Sequence, residues 1–439
     1  MTAPLRTVAI VAPHFPPSNL ASVHRARLLC QHLGEFGWKP IVVTAHHRHY
    51  EEALDWDLAG LVDPNLEVVQ TRALPTKPLR VVGDIGIRSM PWQLAALNRL
   101  RRERRIDFVH ITIPPFYTAM LGELLYRSEP LAFGLDYIDP WVHSWPEAEV
   151  RFSKAWVAKK ASEYLEPIAV KNASLITGVA SGYFGAVLDR HPHLVQSCVT
   201  AAMPYGFTSL DFAAPALQTR RPVLFDPSDG KLHLVYAGAL LPKARTVLTR
   251  LLEGLATLRT TNPELANRLR LHFIGTGRAP NDPNGHNVMP IARQVGVADL
   301  VDEHPHRMGY FDVLAHLIHC YGVLIVGSTE AHYTPSKVYQ SVQSRRPVLA
   351  LLHEASSAVQ VLENSRAGLA IRLSETAIPS AADIASAIER FAGLRYDAEA
   401  VDWRSFDAYS ARESARVMAR GLSEACELFD RRAASKEKR

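Results

Sequence analysis

The sequence lacks long hydrophobic runs, paired cysteines and a large excess of charge. No segment approaches the roughly 18 unbroken apolar residues that a membrane-spanning helix needs. The opening residues, MTAPLRTVAIVAPHF, hold a short apolar run that continues into a strand, which argues against a secretory signal. The four cysteines are scattered without a CxxC pair, which is typical of small buried side chains in a reducing compartment. We therefore expect a cytoplasmic protein.

Two ligand classes are disfavoured by what is missing. The formal charge is only +5 over 439 residues, and aromatic and basic residues are not interleaved as on nucleic-acid-binding surfaces. We expect no nucleic-acid partner. The loop after the first predicted strand, PHFPPSNLAS, has prolines where a dinucleotide site needs glycines, and GxGxxG is absent from it. This argues against a nicotinamide-dependent oxidoreductase.

The pattern that is present is an alternation of short apolar strands with helices. A chain of 439 residues is long for one core, so two domains are expected. Strands are predicted at 7–12, 40–44, 66–70, 108–112, 131–136 and 174–179, and again at 232–236, 271–274, 323–326 and 347–352. Helical patterns between them predict an α/β fold of two doubly wound Rossmann-like domains.

Composition places the domain boundaries. We assign a first Rossmann-like domain to 1–212 and a second to 232–405. Between them, 213–231 is rich in Pro, Asp and Arg without periodicity and is predicted to be a linker. Residues 406–439 form a terminal helix with one apolar stripe and a charged tail, and we expect this helix to pack back toward the first domain.

Polar residues follow the fifth predicted strand in the segment DYIDPWVHSW. Asp136, Asp139 and His143 fall in this loop, and ligands bind at the carboxyl ends of strands in open parallel sheets. Two interpretations remain open for them. The carboxylates are helix caps, or the group forms part of a catalytic rim.

The segment TPSKVYQSVQSRRPVLA, at 334–350, predicts a helix over 337–344 followed by a buried strand. Ser336 stands at the predicted helix N-cap, and a serine and Lys337 at a helix start suit an anion. Gln340, one turn later, could reach a second group of the same ligand. The alternative is an ordinary capped helix on a parallel sheet.

A basic stretch runs from Lys77 to Arg105 and includes RLRRERR. Met90, Trp92, Leu94 and Leu97 are interspersed among its positive charges. One interpretation is a surface that docks peripherally on the anionic inner face of a membrane. The other is a solvated basic helix face.

Four segments, in order, resemble bacterial family 4 retaining glycosyltransferases of the GT-B fold. They are PHFPPS with the following helix, TIPPF with DYIDPW, MPYGFTSLDF, and PSKVYQSVQSRRPVLA. The resemblance implies two Rossmann-like domains facing across a cleft, the first binding an acceptor (glycan, lipid-linked or small molecule) and the second a nucleotide-diphosphate sugar. It implies transfer of a hexosyl group with retention, without a metal or other cofactor.

The same resemblance assigns roles to individual residues. Lys243 would neutralise the diphosphate, with Ser336 and Lys337 assisting, Arg245 as an alternative and Arg307 as a weaker candidate. Gln340 would hold the ribose, His332 would lie near the donor sugar, and the turn at Gly275 and Gly277 would admit the base. The acceptor side would comprise Pro17, Ser18 and Asn19 with Asp136, Asp139 and His143.

This sequence departs from the family pattern where the donor is held. The family commonly has two glutamates separated by seven residues, and Gln340 and His332 occupy those positions here, with Glu330 two positions away. Ala239 stands about where many members carry a diphosphate-binding arginine, and Ile138 replaces another arginine. A nucleotide-sugar epimerase of the same fold and a non-catalytic GT-B partner or scaffold protein therefore remain alternatives.

Overall fold

The computed structural model describes residues 5–76, 83–104, 106–142, 150–277 and 285–437. The chain divides into two compact units, one of Met1–Gly206 with Ala411–Arg439 and the other of Phe207–Ser410. Each unit contains one parallel sheet, so the predicted pair of doubly wound domains is confirmed. The segment 213–231, predicted as a linker, falls within the second unit.

The first unit is built on a seven-stranded parallel sheet of order β3-β2-β1-β4-β5-β6-β7. Its strands read as continuous apolar runs because helices cover both faces, and every residue of β4 and β5 is buried. The strands are β1 (Arg6–Val11), β2 (Trp38–Ala45), β3 (Glu67–Thr71), β4 (Phe108–Ile113), β5 (Phe133–Tyr137), β6 (Leu175–Gly178) and β7 (Val199–Ala202).

Among the described residues of this unit, seven helices accompany the strands in chain order, before the terminal helix. They are α1 (Ala21–His32), α2 (Trp56–Ala59), α3 (Ile85–Arg104), α4 (Met120–Ser128), α5 (Lys154–Val170), α6 (Ser181–Arg190) and α7 (Leu194–Ser197). Short 3-10 turns cover Leu33–Phe36, His47–His49 and Phe116–Ala119.

The second unit repeats this winding in a six-stranded parallel sheet of order β10-β9-β8-β11-β12-β13. The strands are β8 (Leu232–Ala237), β9 (Leu269–Ile274), β10 (Val301–His304), β11 (Gly322–Val326), β12 (Val348–His353) and β13 (Gly368–Leu373). The strand order reverses between β8 and β11, as it does between β1 and β4. The loops that leave these pairs of strands are where ligands bind in doubly wound sheets.

Ten helices lie in the part of the second unit that the structure describes. They are α8 (Ser209–Ala213), α9 (Pro215–Gln218), α10 (Ala244–Thr261), α11 (Pro263–Arg268), α12 (Met289–Val295), α13 (Tyr310–His319), α14 (Lys337–Gln343), α15 (Ser357–Ser365), α16 (Ala381–Ala392) and α17 (Trp403–Asp407). Short 3-10 turns cover Ala298–Leu300 and Ala398–Ala400.

The terminal helix α18 (Ala411–Glu437) returns to the first unit, as predicted. It packs against α1 and β7. Its apolar stripe, which includes Ala415, Met418 and Leu422, joins the core cluster that contains Val8 of β1. The Trp38 ring N–H donates to the Ser423 hydroxyl at 3.2 Å. The helix therefore completes the hydrophobic core of the first unit.

Candidate functional site

At the switch point of the second sheet, the loop that follows β8 is held by contacts with both β8 and β9. Gly238 has a φ of +138°, which favours glycine, and its N–H donates to the Ile274 carbonyl at 2.8 Å. The hydroxyl of buried Tyr236 donates to the Ala239 carbonyl at 3.0 Å. These contacts fix the loop over the carboxyl end of the sheet.

Lys337, the first residue of α14, points its ammonium group at this loop. The Lys337 Nζ lies 4.0 Å from the centroid of the Tyr236 ring. A Cβ added to Gly238 would be 2.5 Å from that Nζ, so a larger residue there would displace the ammonium from its position. The ammonium forms no hydrogen bond or ion pair with any residue that the structure describes. Desolvation lowers the pKa of Lys337 to about 7, because no described residue supplies a counter-ion that would favour the charged form.

Lys243 and Glu330 form an ion pair at the same end of the sheet. The Lys243 Nζ is 3.1 Å from Glu330 Oε1. Lys243 directly precedes α10, and Glu330 lies in the loop that follows β11, where the Ser328 hydroxyl donates to it at 3.1 Å. Sequence reasoning left Glu330 out of the candidate site because it is displaced from the family position. Its contact with Lys243 is what places it here.

Three more predicted donor residues lie around these cations. Ser336 lies at the N-cap position of α14, as predicted, but it has helical torsion angles and its side chain makes no capping hydrogen bond. The Ser336 hydroxyl and the Gln340 amide make no side-chain hydrogen bonds within the described part of the chain. Arg245 is exposed in the first turn of α10 and likewise has no described partner for its guanidinium. The polar groups of Ser336, Lys337 and Gln340 are therefore left unused by the fold.

The turn at Gly275 and Gly277 follows β9 and is held by β10. Gly275 has a φ of +71°, its N–H donates to the His304 carbonyl at 2.7 Å, and the Gly277 N–H donates to the Pro305 carbonyl at 3.1 Å. Buried Glu303 accepts the Thr276 hydroxyl at 2.6 Å and the Met289 N–H at 2.8 Å. The turn is thus rigid, and both glycine N–H groups are already engaged.

The two remaining predicted donor residues, Arg307 and His332, lie in loops of the second unit. Arg307 is exposed in the loop between β10 and α13, and His332 is half-buried in the turn that precedes α14. Among the described residues, no cluster of three or more His, Cys, Asp or Glu side chains could hold a metal ion.

In the first unit, Asp136 is fully buried at the end of β5. Arg25 of α1 pairs with both of its oxygens, at 2.5 and 2.8 Å, and the Thr177 hydroxyl donates to it at 2.7 Å. Burial alone would raise the pKa of Asp136, but the charge of Arg25 lowers it. The Arg25 guanidinium also donates to the carbonyls of Met203 and Pro204. Asp136 therefore joins α1 to the end of β5.

The other two residues of that predicted rim are placed differently. Asp139 lies three residues further on and is exposed. His143 lies outside the described residues. Of the predicted trio, the structure thus describes two members, Asp136 buried at the end of β5 and Asp139 exposed in the loop that follows, and the role of His143 stays a prediction.

The loop after β1 is held by Glu52, which sequence reasoning missed. Buried Ser18 donates its hydroxyl to Glu52, and His14 Nδ1 lies 2.8 Å from the same carboxylate. Burial would raise the pKa of Glu52, but these two partners lower it to about 2. Pro17 is also buried, its carbonyl accepting the Asp55 N–H at 2.7 Å, and Asn19 is half-buried.

In the described part of the basic stretch, some side chains are engaged by the fold, whereas Arg99 and Arg102 are exposed. Arg88 is buried and donates to the carbonyls of Leu74 and His49, and Arg101 contacts Glu129 at 2.7 Å. Leu97 is buried in the core. Residues 77–82 and 105 lie outside the described residues. None of the helices in the described part of the chain is both long and apolar enough to cross a membrane.

No protein-family model and no curated protein sequence matches this chain. Solved structures do match it. An α,α-trehalose-phosphate synthase (UDP-forming) from Burkholderia xenovorans, in complex with glucose-6-phosphate, superposes with a TM-score of 0.64 at 11% identity, over 95% of this chain and 100% of that one. The protein has the GT-B fold.

Two further structures agree with this fold. Sucrose-phosphate synthase from Thermosynechococcus elongatus has a TM-score of 0.56 at 13% identity, over 99% of this chain and 100% of that one. The S. aureus MnaA–UDP co-structure has a TM-score of 0.50 at 11% identity, over 97% of each chain. At these identities the likeness establishes the GT-B fold, and the activity has to be argued from the site.

Proposed function

We propose that this GT-B protein is a glycosyltransferase that moves a sugar from a nucleotide-diphosphate sugar to an acceptor, with retention as in family 4. The observation that carries the proposal is the ammonium of Lys337, which lies without a described counter-ion at the switch point of the second sheet. Doubly wound sheets bind ligands at this point. A desolvated cation there fits an anionic group of the donor.

Lys337 is the residue that we assign to the leaving diphosphate. Breaking the glycosidic bond leaves negative charge on the diphosphate, and a cation already held in place stabilises that charge without reorganisation. The folded protein has already desolvated the ammonium, so an arriving phosphate gains a strong charge-assisted hydrogen bond. Ser336 and Gln340 lie on the same helix, and Gln340 is one turn away, where it can accept a ribose hydroxyl.

Lys243 and Glu330 form the second element of the proposed donor site. The ion pair holds Lys243 at the start of α10, and Arg245 lies in the first turn of that helix. We assign Lys243 and Arg245 to the second phosphate. Glu330 supplies, from a neighbouring position, the carboxylate that the family pattern would place at His332. The proposed site needs no metal to neutralise the diphosphate.

On the acceptor side, we assign Asp139 to contact with the acceptor, because its side chain is exposed. Asp136 and Ser18 are assigned positioning roles, since both are buried and their polar atoms are committed to Arg25 and Glu52. A residue in that situation cannot exchange protons with an acceptor without first breaking its own contacts.

An epimerase of the same fold is the second candidate, favoured by the similarity to the MnaA–UDP structure. The two reactions differ in their products. A transferase releases nucleoside diphosphate only when an acceptor is supplied, whereas an epimerase isomerises the nucleotide sugar without one. NMR of a panel of nucleotide sugars, with and without glycan, lipid-linked and sugar-phosphate acceptors, separates them.

The matched variants are Lys337→Gln and the control Lys231→Gln, at a half-buried lysine whose ammonium donates to the Asn267 carbonyl at 3.1 Å. We expect acceptor-dependent release of nucleoside diphosphate that Lys337→Gln abolishes and Lys231→Gln leaves intact. Addition of EDTA is expected to leave the rate unchanged. Isomerisation without acceptor would replace the transferase proposal with the epimerase. Binding of nucleotide sugars with neither reaction, for any acceptor of the panel, would indicate a non-catalytic partner protein.

A further inference from the structure

The residues before α5 and its first turns expose apolar side chains that the described fold does not cover. Thirteen large hydrophobic side chains are exposed in the part of the chain that the structure describes, and four of them lie within 150–164. They are Val150 (62% exposed), Phe152 (80%), Val157 (54%) and Tyr164 (72%). A concentration of this kind on one surface marks an interaction site more often than a scatter of single residues does.

The helix itself explains why these side chains are uncovered. The buried residues of α5 are Ser162, Glu166, Ala169 and Val170, so its turns from 154 to 161 have no buried side chain. A helix on a globular core normally buries an apolar stripe along its whole length. Val157 and Tyr164 are seven residues apart and therefore share one face. The amino-terminal half of α5 thus extends beyond the core of its unit.

The backbone of Phe152 has a conformation that residues with bulky side chains rarely adopt. Its φ is +65°, in the left-handed region that bulky L-residues rarely adopt. The start of the helix beside it is fixed, because the Ser153 hydroxyl accepts the Trp156 N–H at 3.0 Å. The Phe152 and Trp156 ring centroids are 5.4 Å apart. An exposed phenyl ring in a strained backbone, next to a well-formed cap, is typical of a functional contact.

The charges around this surface are positive. Residues 150–164 include Arg151, Lys154, Lys159 and Lys160 against a single acidic residue, Glu163, a net charge of +3. Lys160 pairs with Glu163 at 2.6 Å, whereas Arg151 and Lys154 form no ion pair with any described residue. Exposed aromatic and aliphatic side chains interleaved with lysines match the interface of an anionic bilayer, where rings enter the headgroup layer and ammonium groups meet phosphates.

We propose that residues 150–164 dock this protein on an anionic lipid surface. This replaces the basic stretch from Lys77 to Arg105 as the membrane contact, since Leu97 is buried there and Arg88 and Arg101 are engaged by the fold. The proposal is independent of the chemistry assigned to the second unit. We expect only side chains to enter the bilayer, because the helix lies at the surface of its unit.

Vesicle co-sedimentation of the full chain tests this. The probes are vesicles of phosphatidylcholine alone and of an equal mixture of phosphatidylcholine and phosphatidylglycerol. We expect binding to the mixed vesicles that the double variant Phe152→Ser with Val157→Ser abolishes. The variant Arg151→Gln with Lys154→Gln should weaken binding roughly fivefold for each cation removed, and added salt should weaken it further.

Two control variants make the assignment specific. Arg99→Gln with Arg102→Gln removes two exposed charges from α3, and Val195→Ser removes an exposed apolar side chain elsewhere in the same unit. Both should bind mixed vesicles like the unmodified chain. Equal binding to neutral and mixed vesicles, no binding to either, or an equal loss in the α3 variant would overturn the proposal. A dimer that Phe152→Ser converts to monomer in light scattering, without vesicle binding, would identify the surface as a self-association site instead.

Discussion

Replacing Lys337 with methionine should make the protein more stable while removing its nucleotide site. Methionine has a similar length and flexibility to lysine but no charge. In the folded state the Lys337 ammonium is desolvated beside Tyr236 and has no described counter-ion. The substitution therefore removes a group that the folded state holds at a cost.

The size of that cost follows from the lowered pKa. A pKa of about 7 in place of 10.5 corresponds to about 4 kcal/mol against folding at pH 7, at about 1.36 kcal/mol for each tenfold change in proton affinity. The contact between the Lys337 ammonium and the Tyr236 ring offsets about 1–2 kcal/mol of this. We therefore expect Lys337→Met to raise the free energy of unfolding by about 2–3 kcal/mol at pH 7.

The pH dependence has a definite sign. The folded pKa of Lys337 lies below the unfolded value, so the cost is greatest at and below pH 7 and disappears as the pH rises through 10.5. The advantage of Lys337→Met should shrink by about 2 kcal/mol between pH 7 and pH 9. Urea unfolding followed by tryptophan fluorescence at both pH values measures this. The control is Lys231→Met, at a half-buried lysine whose ammonium has a hydrogen-bond partner in the Asn267 carbonyl.

The opposite result would refute the reasoning. If Lys337→Met lowers the free energy of unfolding at pH 7, the ammonium is a structural partner of the loop after β8. The same conclusion would follow if the advantage were unchanged between pH 7 and pH 9. In either case the group cannot be a cation that the folded protein holds ready for a ligand.

Four further perturbations test other parts of the structure. Gly238→Ala places a Cβ 2.5 Å from the Lys337 Nζ and should reduce the affinity for nucleotide sugars in calorimetry. The control is Gly230→Ala. Gly230 has open space around it and a φ of +78°, so this variant should lower only the free energy of unfolding. Asp136→Asn leaves Arg25 buried without its partner and should lower the free energy of unfolding by about 3–5 kcal/mol, a loss too large for a residue that acts only on the acceptor. Burial lowers the pKa of His110 to about 4 and that of His272 to about 3. Because both values lie below the unfolded one, each histidine should lower the free energy of unfolding by about 2 kcal/mol as the pH falls from 7 to 5. His110→Leu should remove the part of this loss that His110 causes, which denaturation at both pH values measures. Phe152→Gly relieves the left-handed strain and should raise stability by about 1 kcal/mol while vesicle binding is lost; a stability loss would show that the ring packs on the protein.

The sequence was sufficient for the architecture because strands buried on both faces are nearly continuous apolar runs. The segments predicted at 7–12 and 108–112 correspond to β1 and β4 within one residue at each end. The strands β7, β10 and β13 were not predicted. Each lies at an edge of its sheet and is short or half-exposed, so it lacks that signal.

The candidate site was only partly predictable for a different reason. Lys337 and Gln340 could be found because their signal is local, a lysine and an amide at the start of one helix. The pairs Lys243 with Glu330 and Arg25 with Asp136 could not, because their members are far apart in the chain and meet only through sheet topology. A serine before a helix predicts a capping hydrogen bond, but Ser336 has helical torsion angles instead of the extended ones from which a cap side chain accepts the N–H groups of the first turn.

The proposed nucleotide site is tested most directly by calorimetric titration of the full chain with a panel of nucleoside diphosphates, beginning with UDP. We predict that at least one binds at a single site and that Lys337→Gln weakens it about tenfold or more, since a hydrogen bond to a charged group contributes about 1.5–3 kcal/mol. Lys231→Gln should bind like the unmodified chain. Failure of every nucleotide to bind, or undiminished binding by Lys337→Gln, would contradict the assignment of a donor site at the switch point of the second sheet.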